Sequence, residues 1–195
     1  MGDGERLLMM GNPASGADGW TSPGHSWLMS RLWDVMRYTA NGFHVGISCP
    51  CCDVESAKWY RRLLKLPPSR LTYSNLFVNY NYPAFCRLLK SRSNMPDYGI
   101  TVGCHDGAEV QVPSNVVNTD WDFDAAVDEM CKIDHPILVA AGPASAALIS
   151  DYWRLAENRQ ICIDVGSAAD HCLWGRVTRG YHTAGTATQQ KVCQW

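Results

Sequence analysis

Two carboxylates stand one residue apart in Gly2-Asp3-Gly4-Glu5, just ahead of the apolar run Arg6-Leu7-Leu8-Met9-Met10. On an extended or turning backbone, side chains at i and i+2 point to the same side, so Asp3 and Glu5 would face one cation. Gly4 keeps such a turn permissive and leaves room for a ligand to approach the backbone. Paired oxygen ligands suit a hard divalent ion, Mg²⁺ or Mn²⁺, that also holds phosphate oxygens. The plainer reading of the same two acids is a solvated pair near a frayed terminus, favoured by the positive end of the helix that follows.

A second group of candidates lies in the latter half. Pro136-Ile137-Leu138-Val139-Ala140-Ala141 is a continuous apolar run of the kind buried in a parallel sheet, and it leads into Gly142-Pro143-Ala144-Ser145. Small residues there let the backbone approach a ligand, and the free N–H groups of the next helix start can seat a phosphate. Neither the GxGxxG fingerprint nor a P-loop lysine is present, so a plain strand-to-helix connection competes with the phosphate seat. Gln160 to Val165 ends in Asp164 and runs into Gly166-Ser167-Ala168-Ala169-Asp170. Ligands of open parallel sheets bind beyond the carboxyl ends of the strands, which would gather Gly142, Ser145, Asp164, Gly166, Ser167 and Asp170 on one edge. Arg176 and Arg179 follow, and a guanidinium suits a bidentate grip on a diphosphate.

Other chemistry-bearing residues have milder readings. Asn79 and Asn81, between an apolar stretch and a helix start, would grip a sugar hydroxyl or simply cap a turn. Asp120, Asp122 and Asp124 sit where helix capping alone favours aspartate. Cys49, Cys51 and Cys52 have no second pair at zinc-finger spacing, so buried thiols lining a loop are expected ahead of a zinc or redox site. A cysteine hydrolase pairing one of them with His44 or His105 lacks any recognisable nucleophile context.

The elements that must position these residues follow from pattern. Leu28, Leu32, Trp33, Val35 and Met36 recur at helical spacing over Ser26 to Tyr38. Phe43 to Ser48 reads as a strand, Ser56 to Leu66 as a helix stopped by Pro67-Pro68, and Arg70 to Val78 as a strand. Ala84 to Lys90 reads as a helix with Pro83 in its first turn. Tyr98 to Cys104 and Val110 to Val117 are extended, Asp120 to Met130 is helical, and a helix from Ala146 to Leu155 joins the last two strands as a right-handed parallel crossover. Gly11 to Pro23 is a loop. Trp20 within it is the tryptophan best placed to stack on a sugar, whereas Trp27, Trp33, Trp59 and Trp153 look like helix packing.

Size and composition bound the outcome. A chain of 195 residues with 46% apolar and 18% charged residues is one globular α/β domain with a full core. A net charge of -2 without a basic run argues against nucleic acid held by bulk electrostatics. No apolar stretch is long enough to span a membrane and no signal-peptide pattern opens the chain, so a cytoplasmic protein is expected. Nine cysteines, an odd number in a chain of this length, are expected to be reduced thiols.

The ordered set of segments resembles bacterial and phage glycosyltransferases of the GT-D fold. It comprises Gly-Asp-Gly-Glu at 2–5, Val-Asn-x-Asn-Tyr at 78–82, Ala-Ala-Gly-Pro at 140–143, Ile163-Asp164-Val165-Gly166-Ser167-x-x-Asp170 and Thr178-Arg179-Gly180-Tyr181. The resemblance covers nearly the whole chain and rests on the order, since each piece alone is weak. It implies a single Rossmann-like α/β domain with a mostly parallel sheet over residues 1–195, binding a nucleotide sugar, with a UDP-sugar favoured. It also implies an Asp-x-Glu (DXE) motif, here Asp3 and Glu5, holding Mn²⁺ or Mg²⁺ on the diphosphate. Gly4, Asn79, Asn81, Gly142, Pro143, Ser145, Gly166, Ser167 and Arg179 would contact the donor. Asp164 and Asp170 are candidates for the base that accepts the acceptor hydroxyl proton. The acceptor would be a glycan or glycoprotein, and a nucleotide- or sugar-phosphate-binding module without transfer is the competing reading. Family members carry a strand, and often an arginine, before the motif; here only Met1 precedes it.

Overall fold

The computed structural model describes residues 1, 3–11, 26–64, 66–92 and 101–192. Its strands form two parallel sheets. Strands β1 (Val45–Ile47) and β2 (Leu71–Tyr73) pair with Val45 opposite Leu71. The larger sheet has the order β4-β3-β5-β6, built from β3 (Val102–Gly103), β4 (Val110–Gln111), β5 (Ile137–Ala140) and β6 (Cys162–Asp164). Every pairing in it is parallel. The expected α/β class with parallel strands and flanking helices therefore holds, and the strands divide between two sheets among the described residues.

Seven helices stand among the described residues: α1 (Asp3–Met9), α2 (Ser26–Arg37), α3 (Val54–Leu63), α4 (Tyr82–Arg92), α5 (Phe123–Met130), α6 (Ala144–Leu155) and α7 (Ala168–Trp174). Helix α2 buries Leu28, Leu32, Val35 and Met36, the i, i+4, i+7, i+8 stripe of a half-buried helix. That stripe joins Ile47, Val102, Ile137, Val139, Leu148 and Tyr152 in one apolar core that reaches both sheets. Arg31, flanking that stripe on α2, pairs with Asp151 of α6 and, at 2.6 Å, with Asp124 of α5, while its guanidinium lies over the Phe123 ring. Asp122 caps α5 by accepting from Ala125 N at 2.9 Å. The acidic start of that helix thus serves capping and pairing. Trp27, Trp33, Trp59 and Trp153 pack against the core, as their helical spacing suggests.

A second, smaller cluster joins α4 to α7 through Tyr82, Phe85, Leu89, Ala168, Ala169 and Tyr181. A disulfide between Cys86 and Cys172 crosses it, with the Cα atoms 5.4 Å apart. The expectation that all cysteines are reduced fails at this pair. The two residues are 86 positions apart, so no local spacing marked them. No helix among the described residues is long and apolar enough to cross a membrane.

Several boundaries differ from the sequence expectation, and three of them bear on the site. The helix expected to begin at Arg6 begins at Asp3, so the Asp-Gly-Glu segment is helical. The strand expected over Arg70 to Val78 keeps only Leu71–Tyr73, then tightens into two 3-10 turns, Ser74–Phe77 and Asn79–Asn81. Helix α3 starts earlier than expected because the Asp53 carboxylate accepts from Ser56 N and ends the preceding loop. Most of the loop expected at Gly11 to Pro23, Trp20 included, and the start of the strand expected from Tyr98 lie outside the described residues.

Candidate functional site

The carboxyl ends of β5 and β6 meet the start of α1 and the far end of the chain at one cleft of about 720 Å³. Each contribution has a local cause. Strand β5 ends at Ala140, and Gly142 turns the chain with φ +55°, a left-handed conformation that costs glycine no Cβ clash. Strand β6 ends at Asp164, and Gly166, at φ +47°, folds its own N–H back onto Asp164 Oδ1 at 3.0 Å. Pro143 and Ser167 then lead into α6 and α7.

The structure brings Gly4, Glu5, Gly142 and Pro143 to the wall of this cleft. Asp164, Gly166, Ser167, Asp170 and Arg179 line it as well. These come from four separated stretches of the chain, which is the edge that the strand-end rule anticipates. Three candidates behave differently. Ser145 is fully buried; its hydroxyl accepts from Ala141 N at 3.0 Å and is hydrogen-bonded to Asp164, so it supports the site from behind. Asn79 and Asn81 lie in a 3-10 turn and are not among the lining residues. The Asn79 amide instead donates to Cys52 Sγ at 3.6 Å. Asp3 is the first residue of α1, and its side chain lies outside what the structure describes. The extended-backbone premise for a paired Asp3 and Glu5 does not hold, because residues two apart on a helix are not neighbours.

Glu5 has another carboxylate for company. Asp164 is exposed on the cleft wall, and partial desolvation by the protein around it is the main force pushing its carboxyl up to about 6; the Glu5 charge adds to the rise. The Met1 ammonium, the Gly166 N–H and the Ser145 hydroxyl pull in the opposite direction. The Asp164 surface remains accessible from the cleft, so the desolvation is that of a deep recess and not of a sealed core. Two carboxylates on one cleft wall are hard oxygen donors of the kind that a divalent ion takes. Arg176 and Arg179 stand on the same cleft and supply the opposite charge.

Asp170 belongs to a supporting network. Its Oδ2 accepts from Thr178 Oγ1 at 2.6 Å, which ties α7 to the segment carrying both arginines. Its Oδ1 lies 3.9 Å from His105 Nε2. His182 fixes the same corner: Nδ1 accepts from Thr178 N at 3.1 Å and Arg179 N at 3.4 Å, while Nε2 meets Ser167 O at 3.0 Å. With two N–H groups pointing at Nδ1, the proton of the neutral ring must sit on Nε2 and donate to Ser167 O. Burial holds the His182 pKa below its ordinary value.

His105, considered from sequence only as a partner for a cysteine nucleophile, has a different setting in the structure. It lines the cleft, is 7% exposed, and stacks on Trp174 with ring centroids 3.4 Å apart. Its Nδ1 is buried without a hydrogen-bond partner among the described residues. Burial, assisted by Arg176, lowers its pKa against the pull of Asp170 and Asp106, so it is neutral near pH 7. A neutral imidazole has one nitrogen able to accept a proton, and here the unpartnered Nδ1 is itself buried. Its place just past β3, at the carboxyl edge of the sheet, was the available signal. No family model, curated protein or solved structure matches the chain.

Proposed function

We propose that the cleft is the donor site of a metal-dependent glycosyltransferase, taking a nucleoside-diphosphate sugar, with a UDP-sugar favoured, and passing the sugar to a glycan or glycoprotein hydroxyl. The observation that carries this reading is the meeting in one recess of the Glu5 and Asp164 carboxylates with the Arg176 and Arg179 guanidiniums. Acids alone would repel a diphosphate, and arginines alone would not need the acids. Together they suit a diphosphate that arrives with a divalent cation.

In this reading Glu5 and Asp164 would hold the Mn²⁺ or Mg²⁺, Asp164 taking the place that the motif gave to Asp3. When bound, the ion neutralises charge on the leaving nucleoside diphosphate. Arg179 and Arg176 contribute charge-assisted donors to the same phosphates, preorganised by His182 and by the Asp170–Thr178 hydrogen bond. The positive-φ turns at Gly142 and Gly166 let backbone N–H groups come near the ligand. If the transfer inverts the sugar, the His105–Asp170 pair on the cleft is the candidate for receiving the acceptor hydroxyl proton. Asp164 then serves as an ion ligand in place of the base expected from sequence.

Nucleotide release from UDP-sugars in the presence of Mn²⁺ tests the proposal. Release by the wild-type chain, reduced about 100-fold or more in Glu5→Ala, supports it. No release from any donor, or equal rates in Glu5→Ala, overturns it. Donor binding without release would mark the cleft as a nucleotide-sugar-binding module.

A further inference from the structure

At the carboxyl end of β1 the chain makes one tight turn. The backbone N–H groups of Cys52 and Asp53 both donate to Cys49 O, each at 3.0 Å, before Asp53 caps α3. The turn converges three side chains: the Sγ atoms of Cys49, Cys51 and Cys52 all lie within 4.8 Å of one another. None of the three is in a disulfide, and none lines the cleft. Cys49 is buried at 1% exposure, whereas Cys51 and Cys52 are exposed. The trio thus has a fixed floor and an open approach.

We propose that Cys49, Cys51 and Cys52 form a binding site for one thiophilic d¹⁰ cation, Zn²⁺ or Cu⁺. Thiolates bound tetrahedrally at a Zn–S distance of about 2.3 Å stand roughly 3.8 Å apart, so closing the trio needs side-chain movement of only about 1 Å. Such movement lies within the reach of rotamer adjustment at the two exposed cysteines. Soft sulfur donors disfavour Mg²⁺ and Mn²⁺, so this site and the oxygen-lined cleft select different ions. Three protein ligands satisfy Cu⁺ in a trigonal arrangement and leave Zn²⁺ one open position for water or an outside ligand. Each thiol gives up its proton to solvent as its sulfur coordinates, so affinity rises with pH.

Asn79 supplies the second, independent feature. Its amide donates to Cys52 Sγ at 3.6 Å, and its backbone is held at φ +54°, a region that asparagine tolerates and most residues avoid. An N–H aimed at a sulfur favours thiolate over thiol, and outer partners of this kind tune metal affinity by about 10- to 100-fold. The sequence spacing hid the site because it shows no second cysteine pair; one turn of backbone supplies all three ligands instead.

The test is alkylation footprinting of the folded full chain by mass spectrometry, with Zn²⁺ or Cu⁺ added alone, alongside metal titration of variants. Protection of Cys51 and Cys52 by one equivalent of metal, with exposed Cys104 still reactive, supports the site. Cys51→Ser is expected to weaken binding by about 100-fold or more, since a primary ligand is lost. Asn79→Gly, which keeps the backbone conformation available, is expected to weaken it about tenfold. Equal alkylation of Cys51, Cys52 and Cys104 with and without both metals overturns the proposal. So does unchanged affinity in Cys51→Ser and Cys52→Ser. Comparing the two metals in competition assigns the resident ion. Cys51→Ser and Cys52→Ser change exposed thiols, and circular dichroism of every variant separates loss of binding from loss of fold.

Discussion

Asp164 carries a carboxyl group raised from the ordinary 3.8 to about 6, chiefly by the protein around it and further by Glu5. The folded chain therefore holds this proton more tightly than the unfolded chain does. The linkage has a definite sign: a raised folded pKa contributes stability fully present below about pH 4 and lost as pH rises through about 6. A rise of about two units corresponds to about 3 kcal/mol at full strength. The carboxyl is open to cleft water, and screening reduces that to about 1 kcal/mol. Asp164→Asn removes the ionisation while retaining an oxygen for the Gly166 N–H. Relative to wild type, the variant should gain about 1 kcal/mol on going from about pH 4 to about pH 7, a relative shift in melting temperature of about 2–4 °C. Paired thermal melts across that range, without added metal, measure the difference directly. A difference that stays flat with pH, or that grows toward acid, would refute the reasoning. Glu5→Gln in the same series should lower the Asp164 pKa and so narrow the window.

Three further predictions concern the frame of the site. Gly166→Ala places a Cβ at φ +47° and should cost about 1–2 kcal/mol by urea unfolding, with a larger loss in nucleotide binding because the turn carries the Asp164 hydrogen bond. Cys86→Ser opens a covalent link between residues 86 positions apart and should cost about 2–4 kcal/mol, seen as a lower urea midpoint. His182 has a pKa held below 6.5 mainly by burial, so its contribution is present above that value and lost as pH falls through the folded pKa. Acidification should therefore lower the protection factors of the Thr178 and Arg179 amides, taken against the intrinsic exchange rate at each pH, and His182→Gln should abolish that pH dependence.

Local pattern carried much of the architecture and less of the site. The apolar run into Gly142-Pro143 made β5, its turn and α6 readable, and the parallel crossover to β6 followed from spacing. Asp164, Gly166, Ser167 and Asp170 reached the cleft because strand ends in parallel sheets share an edge. Asn79 and Asn81 did not, since the chain there tightens into 3-10 turns and the Asn79 amide donates to Cys52 instead. The partner of Glu5 was also illegible: the helix begins at Asp3, and the carboxylate that senses Glu5 lies far along the chain at Asp164. His105 and the Cys86–Cys172 bond depend on contacts between distant segments that no periodicity encodes.

The most direct measurement is thermal stability with UDP, GDP, TDP and CMP, each with and without Mn²⁺. A ligand at about 100 times its dissociation constant stabilises by roughly 2.7 kcal/mol, a shift of roughly 5–10 °C for a domain of this size. The account predicts such a shift with one nucleoside diphosphate, dependent on Mn²⁺, and its loss in Glu5→Ala and Arg179→Ala. No shift with any nucleotide, or a shift that survives in Glu5→Ala, would contradict it.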